Sequence, residues 1–241
     1  MADEDTAILY GIHTVAAALA NPRRRIRSIL ATENALRRLT EDGVALPVAP
    51  QLVKPDAIAA RLPADAVHQG VLAEADPLPS PAIEDLAPEG FVLVLDQITD
   101  PHNVGAILRS AAAFAVKAIV MTARHSPEAT GVLAKSASGA LEYVPLVTVV
   151  NLARGLAALK EIGFRVIGLD GAGDVELSAA NLTGPLALVL GSEGKGLRQL
   201  TRETCDVVAR LDLPGAIKSL NVSNAAALAL YVATTHGRGT S

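Results

Sequence analysis

Cysteine is nearly absent from this chain. Among 241 residues there is one, Cys205. A single thiol excludes an internal disulfide framework and any multi-cysteine metal site. Aromatic side chains are also scarce, at 2% of residues, with no Trp, three Tyr and three Phe. The core must therefore be built from Ala, Leu, Val and Ile. Base stacking on an aromatic platform, the usual device of single-strand RNA modules, is poorly supplied. No unbroken apolar stretch reaches the ~20 residues of a bilayer span. The start, Met1-Ala2-Asp3-Glu4-Asp5, is acidic, whereas secretory signals and mitochondrial presequences carry basic residues. The expectation is a cytoplasmic protein with no membrane segment. His13, His68, His102, His125 and His236 are scattered without metal-ligand spacing, so no metal is expected either.

Half of the chain is hydrophobic and 19% is charged, which suits a globular protein with a substantial core. The length suits one large or two small domains. A net charge of −4 gives no general attraction for nucleic acid, so phosphate contacts need a local patch. Such a patch exists. Arg23-Arg24-Arg25-Ile26-Arg27 and Arg37-Arg38 set six arginines against Glu33 between Asn21 and Leu39. Arg23, Arg24, Arg25 and Arg27 head the candidates for RNA phosphate contact; a solvated surface face is the plainer reading. Lys135, Arg198 and Arg202 are candidates for further contacts.

The pattern of apolar runs divides the chain. Up to about Ala75, strands are predicted at Ile26–Ala31, Val44–Ala49 and Gly70–Ala73, with a helix at Asn34–Glu41. Asp76-Pro77-Leu78-Pro79-Ser80-Pro81 and Pro88 oppose both helix and central strand. The domains predicted are thus 1–75, a linker over 76–88, and 89–241. In the last, continuous apolar runs at Phe91–Leu95, Ala118–Met121, Val144–Val150, Arg165–Leu169, Leu186–Leu190 and Val207–Leu211 read as strands. Helical spacing falls at Val104–Ala115, Asn151–Ile162 and Ser223–Thr235. Strands alternating with helices predict an α/β fold with a mostly parallel sheet. Ligands in such sheets bind beyond the C-terminal strand ends, which points to the loops after Leu95, Leu190 and Leu211.

All three loops are unusual. The first, Asp96 to Gly105, enters a helix carrying Arg109 in an apolar neighbourhood, and Asn103 is a candidate cap. The second is Gly191-Ser192-Glu193-Gly194-Lys195-Gly196-Leu197. A glycine loop between strand and helix suits a nucleotide-like ligand, but this one lacks both the Walker A lysine and the dinucleotide glycine spacing. The third, Leu213-Pro214 to Asn224, sets Ser219, Asn221, Ser223 and Asn224 against a very apolar helix. A helix cap accounts for one of these polar residues, not for four.

Together these segments resemble the SpoU (TrmH-like) branch of the SPOUT methyltransferases. The carriers are Asn103-Val104-Gly105-Ala106-Ile107-Leu108-Arg109-Ser110-Ala111, Leu188 to Gly196, and Leu213-Pro214 through Ser219-Leu220-Asn221-Val222-Ser223, in the family's order and spacing. Tyr10-Gly11-Ile12-His13 and Ala66-Val67-His68-Gln69-Gly70 resemble the small ribosomal-protein-like RNA-binding domain of family members that methylate guanosine ribose in 23S rRNA. Ser136 to Glu142 resembles a further segment near the family's active site.

The resemblance implies a C-terminal domain with a trefoil knot, a homodimer, and S-adenosylmethionine as cofactor. It implies a cofactor site at Leu190, Gly191, Gly194, Leu211, Leu213, Ile217 and Leu220. It gathers Asn103, Arg109, Glu193, Ser219 and Asn221 around the acceptor as catalytic residues. The implied reaction is methylation of a ribose 2′-hydroxyl in structured RNA, with a guanosine of 23S rRNA as target. A guanidinium with a pKa above ~12 is a poor base, so Arg109 suits electrostatic stabilisation better than proton removal. Glu193, a water or Arg109 itself remain the alternatives for the base. The competing functions are a tRNA ribose methyltransferase, a non-catalytic ribosome-assembly factor on the same scaffold, and a nicotinamide-dependent enzyme, the last lacking its glycine fingerprint.

Overall fold

A computed structural model describes residues 6–124 and 126–236; Met1–Asp5 and His125 lie outside them. The chain forms two compact units, residues 1–79 with 127–143, and residues 80–126 with 144–241.

The first unit runs β1 (Ala7–Tyr10), α1 (Ile12–Ala20), β2 (Ile26–Ala31), α2 (Glu33–Glu41), β3 (Gln51–Leu52), α3 (Pro55–Ala59) and β4 (Val71–Ala75). The sheet order is β1-β4-β2-β3, with β4 antiparallel to both neighbours and β2 parallel to β3. Leu30, Ile58 and Leu72 form one buried cluster on it. The strand expected at Val44–Ala49 does not form; that stretch is loop, and the pairing strand is Gln51–Leu52. Pro47 has no N–H to give a ladder, which explains the shift. The strand β1 and the helix α1 were not among the predicted elements.

The second unit holds β5 (Phe91–Asp96), α4 (Pro101–Ala113) and β6 (Ala118–Thr122). The chain then contributes Pro127–Tyr143, including α5 (Gly131–Ala137), to the first unit. Linear order alone assigns this stretch to the C-terminal domain; packing assigns it to the N-terminal unit. The second unit resumes with β7 (Leu146–Val149), α6 (Leu152–Glu161), β8 (Arg165–Leu169), β9 (Val175–Glu176), β10 (Leu186–Gly191), α7 (Gln199–Thr204), β11 (Val207–Arg210) and α8 (Val222–His236).

Its seven strands lie in the order β7-β6-β5-β10-β8-β11-β9, and every pair is parallel. The apolar runs are explained by burial on both faces: Val92, Leu93 and Val94, like Ala187, Leu188 and Val189, have no exposed surface. The proline-rich linker is partly docked, since Ile83 joins this unit's core and the Ser80 hydroxyl accepts the Thr148 amide at 3.0 Å. With β10 at the centre between β5 and β8, the loops after Asp96 and Gly191 leave the same edge of the sheet side by side.

No described helix is long and apolar enough to cross a membrane.

Candidate active site

The first loop delivers α4. Its cap is Asp100, not Asn103: the Asp100 carboxylate accepts the His102 amide at 3.0 Å and Pro101 opens the helix. Asp-Pro is the stronger start signal, because proline's fixed φ suits the first helical position. Asn103 is thereby freed for another task. It sits in the first turn, and its side chain meets the other two loops.

The second loop folds back on its own strand. A Ser192–Gly196 bridge closes it, and a Cβ on Gly191 would lie 2.3 Å from the Gly196 carbonyl carbon. Gly196 adopts φ +64, and a side chain there would strike Asp170 Oδ2 at 2.5 Å. Only glycine permits both approaches. Two carboxylates pin the loop's exit. Asp170, after β8, accepts the Leu197 amide at 3.2 Å, and Asp96, the last residue of β5, accepts the Arg198 amide at 3.0 Å. Asp96 is fully buried and also holds the Arg198 guanidinium at 2.6 Å. Burial pushes the Asp170 carboxyl up, but the Ala172 and Leu197 amides and Arg202 outweigh it and hold it below the usual range. Sequence reasoning missed both aspartates, because each lies far from the loop along the chain.

The third loop, residues 211–221, has neither helix nor strand. It ends where the Asn221 side-chain oxygen caps α8 through the Ser223 amide at 2.9 Å. The Asn221 amide group then donates to Asn103 Oδ1 at 3.0 Å and to Glu193 Oε1 at 2.7 Å. Glu193 Oε1 also accepts the Val222 amide at 3.2 Å and Asn103 Nδ2 at 3.5 Å. One carboxylate oxygen thus joins all three loops.

Beside it lies a cavity of about 320 Å³. Leu190, Gly191, Gly194, Leu211, Leu213 and Leu220 line it, as do Glu193 and Ser219. Of the expected cofactor residues only Ile217 is absent from the wall; it is 77% exposed. Arg109 is exposed on α4 and has no hydrogen-bond or ion-pair partner among the described residues. Cys205 is not nucleophilic: burial, with Asp206, pushes its thiol up to about 11. Among the described residues no group of three or more His, Cys, Asp or Glu is placed to hold a metal ion.

In the first unit the arginine cluster is placed differently from expectation. Arg24 is buried, with its guanidinium on Glu142 at 2.7 Å and on the Asp76 carbonyl at 2.9 Å. It is not available to RNA. Arg27 pairs with Asp76 and Thr6, Arg25 lies 3.8 Å from Asp76, and Arg23 donates to the Glu142 carbonyl.

Residues 90–231 match the SpoU rRNA methylase family, and residues 8–81 match the substrate-binding domain of RNA 2′-O ribose methyltransferases. The chain belongs to the SpoU rRNA methylase family. Over 236 residues this SpoU protein is 39% identical to the 23S rRNA (guanosine-2′-O-)-methyltransferase RlmB of Pseudomonas putida, covering 93% of this chain and 94% of that one. The protein of the same name from Photorhabdus laumondii is 41% identical over 240 residues, with 94% and 96% covered. The SpoU methyltransferase AviRb of Streptomyces viridochromogenes, solved in complex with AdoMet, superposes with a TM-score of 0.81 at 23% identity, covering 96% of this chain and 90% of that one. That likeness shows a shared fold.

Proposed function

We propose that this SpoU protein transfers a methyl group from S-adenosylmethionine to the ribose 2′-hydroxyl of a guanosine in 23S rRNA. The observation that carries the reading is the junction of three loops on Glu193 Oε1 beside the cavity. The cavity fits such a cofactor. Its volume is at the lower end of small-molecule sites, ~300–1,000 Å³. Leucines form its apolar wall, and the peptide groups of 211–221 are not committed to helix or sheet. Leu190, Gly191, Gly194, Leu211, Leu213 and Leu220 would hold it.

S-adenosylmethionine supplies an electrophilic methyl on a sulfonium, which needs little activation. The work left to the protein is alignment of a weak nucleophile and disposal of its proton. Asn103, Glu193, Ser219 and Asn221 form the acceptor side. Glu193 is a positioning residue there, because its Oε1 is occupied by three donors from the other two loops. Arg109, unpaired, stabilises the developing alkoxide and the adjacent phosphate. A knot through 191–222, a homodimer that completes the site, and action in the cytoplasm belong to the same reading, as does chemistry without a metal.

The test is incubation of unmodified 23S rRNA and tRNA transcripts with the protein and tritiated S-adenosylmethionine, followed by mapping of 2′-O-methyl marks. A single marked guanosine in 23S rRNA is expected. Label in tRNA alone would overturn the rRNA target, and cofactor binding without label would point to a non-catalytic assembly factor.

A further inference from the structure

The arginines that looked best for RNA are engaged with Glu142, Asp76 and Thr6. Arg38, the last arginine of the same patch, is left free among the described residues and stands beside further donors in the first unit. A cleft of about 350 Å³ is lined by Asn34 and Arg38 on α2, by His68 and Gln69 in the turn before β4, and by Ile12 at the start of α1. No carboxylate and no Phe, Tyr or Trp lines it.

The chemistry of each polar group follows from its partner. The backbone N–H of Gly70 can only donate, and it donates to His68 Nδ1 at 3.1 Å. The neutral ring therefore carries its proton on Nε2. Two obligate donors, the Ile12 amide at 3.1 Å and Lys135 Nζ at 2.8 Å, converge on Gln69 Oε1. That fixes the amide's orientation and leaves its NH₂ as the free end. The side chains of Arg38 and Asn34 have no hydrogen-bond or ion-pair partner among the described residues. The turn is itself costly to build. Gln69 is held at φ +55. Gly70 follows at φ +80, where a Cβ would meet Thr32 Oγ1 at 2.4 Å. A non-glycine residue in the left-handed region marks a position that the surrounding structure enforces.

We propose that this cleft binds the phosphate–ribose backbone of the RNA substrate, with Arg38, His68 Nε2, the Gln69 amide and Asn34 as donors. It rests on the RNA methyltransferase reading and says where the first unit grips its substrate. A site dominated by side-chain and amide donors, with no Phe, Tyr or Trp, suits backbone recognition more than a base-stacking platform.

The experiment measures binding of an unmodified 23S rRNA transcript across a KCl series, with methyl transfer by the wild type as control. Arg38→Ala should lower affinity about tenfold and reduce the salt slope by about one. Arg38→Lys, which keeps the charge, should restore the slope. Gln69→Glu retains an oxygen for Ile12 and Lys135 but replaces the free NH₂ with an anion. It should weaken RNA binding at least as much while S-adenosylmethionine affinity matches the wild type. Wild-type RNA affinity and salt slope in both Arg38→Ala and Gln69→Glu would overturn the cleft while leaving the enzyme reading intact. A wild-type protein that neither binds nor methylates the transcript would instead sink the reading on which the cleft rests.

Discussion

Asn221 donates its side-chain amide to Glu193 Oε1 at 2.7 Å, and so ties the start of the last helix to the glycine loop. Three donors crowd that single oxygen, a poor arrangement for a base and a good one for a clamp. Glu193→Gln keeps an acceptor oxygen and should retain methyl transfer within about tenfold of wild type. Glu193→Ala removes the acceptor and should cost about a hundredfold, since misplacement of reacting groups by an ångström has effects of that order. Single-turnover methylation separates the roles. If the glutamine variant is as slow as the alanine variant, the carboxylate is the base.

Arg109 presents the opposite situation, an exposed guanidinium with no partner among the described residues, on the helix that also carries Asn103. A charge left unpaired by its own fold is available to the substrate. Arg109→Ala should lower kcat by about a hundredfold or more, the range seen when one stabilising donor is lost. Calorimetric affinity for S-adenosylmethionine should stay near wild type. An equal loss of cofactor affinity would remove Arg109 from the acceptor side.

The sheet was legible because its strands are buried on both faces: Val92 to Leu95 and Leu186 to Leu190 are continuous apolar runs for that reason. The three loops were legible because glycine and polar clusters at strand ends are costly unless used. Long-range pairing was not legible. Arg24 reads as one more surface arginine until Glu142, 118 residues away, is seen beside it. The same holds for Asp96 and Arg198, 102 residues apart. Local pattern reports which face a residue prefers, not which distant charge will meet it. Asn103 as a cap failed for a local reason, since Asp100-Pro101 supplies a better start three residues earlier.

Gly191 should tolerate no side chain. A Cβ there would sit 2.3 Å from the backbone of Gly196, and backbone cannot swing aside as a side-chain tip can. Gly191→Ala is expected to cost about 1–3 kcal/mol of stability, as overpacking does. It should weaken S-adenosylmethionine binding by at least about tenfold, because the displaced loop forms the cavity wall. Titration calorimetry on the folded variant tests this, and wild-type affinity would show that the loop is not part of the cofactor site.

Arg24 and Glu142 are exposed by only 2% and 3% in their side chains. Removing one partner of a buried pair strands the other charge, at a cost of about 3–5 kcal/mol. Arg24→Ala should therefore lower the melting temperature sharply, and it should detach Pro127–Tyr143 from the first unit, which hydrogen exchange can detect. The salt slope of RNA binding should not move in the folded fraction, in contrast to Arg38→Ala. A stable Arg24→Ala protein with a reduced slope would return this arginine to the RNA-contact set.

Asp170 makes stability depend on pH in a defined direction. Its carboxyl is held below the usual range by the Ala172 and Leu197 amides and by Arg202, against the upward push of burial. A depressed folded-state pKa gives stability that is fully present above the unfolded value, ~3.9, and lost as pH falls through the folded one. Melting temperature should therefore decline as the medium is acidified below about pH 4. Other lowered carboxyls, such as Asp206, contribute to the same decline, so the difference between wild type and Asp170→Asn isolates this one. The variant should start lower at neutral pH and converge on the wild type in acid. Affinity for S-adenosylmethionine should follow, because the Leu197 amide that Asp170 holds at 3.2 Å fixes the exit of the glycine loop. Parallel melting curves for the two proteins from neutral pH to below pH ~3 would show that the Asp170 carboxylate contributes nothing to the fold through its charge.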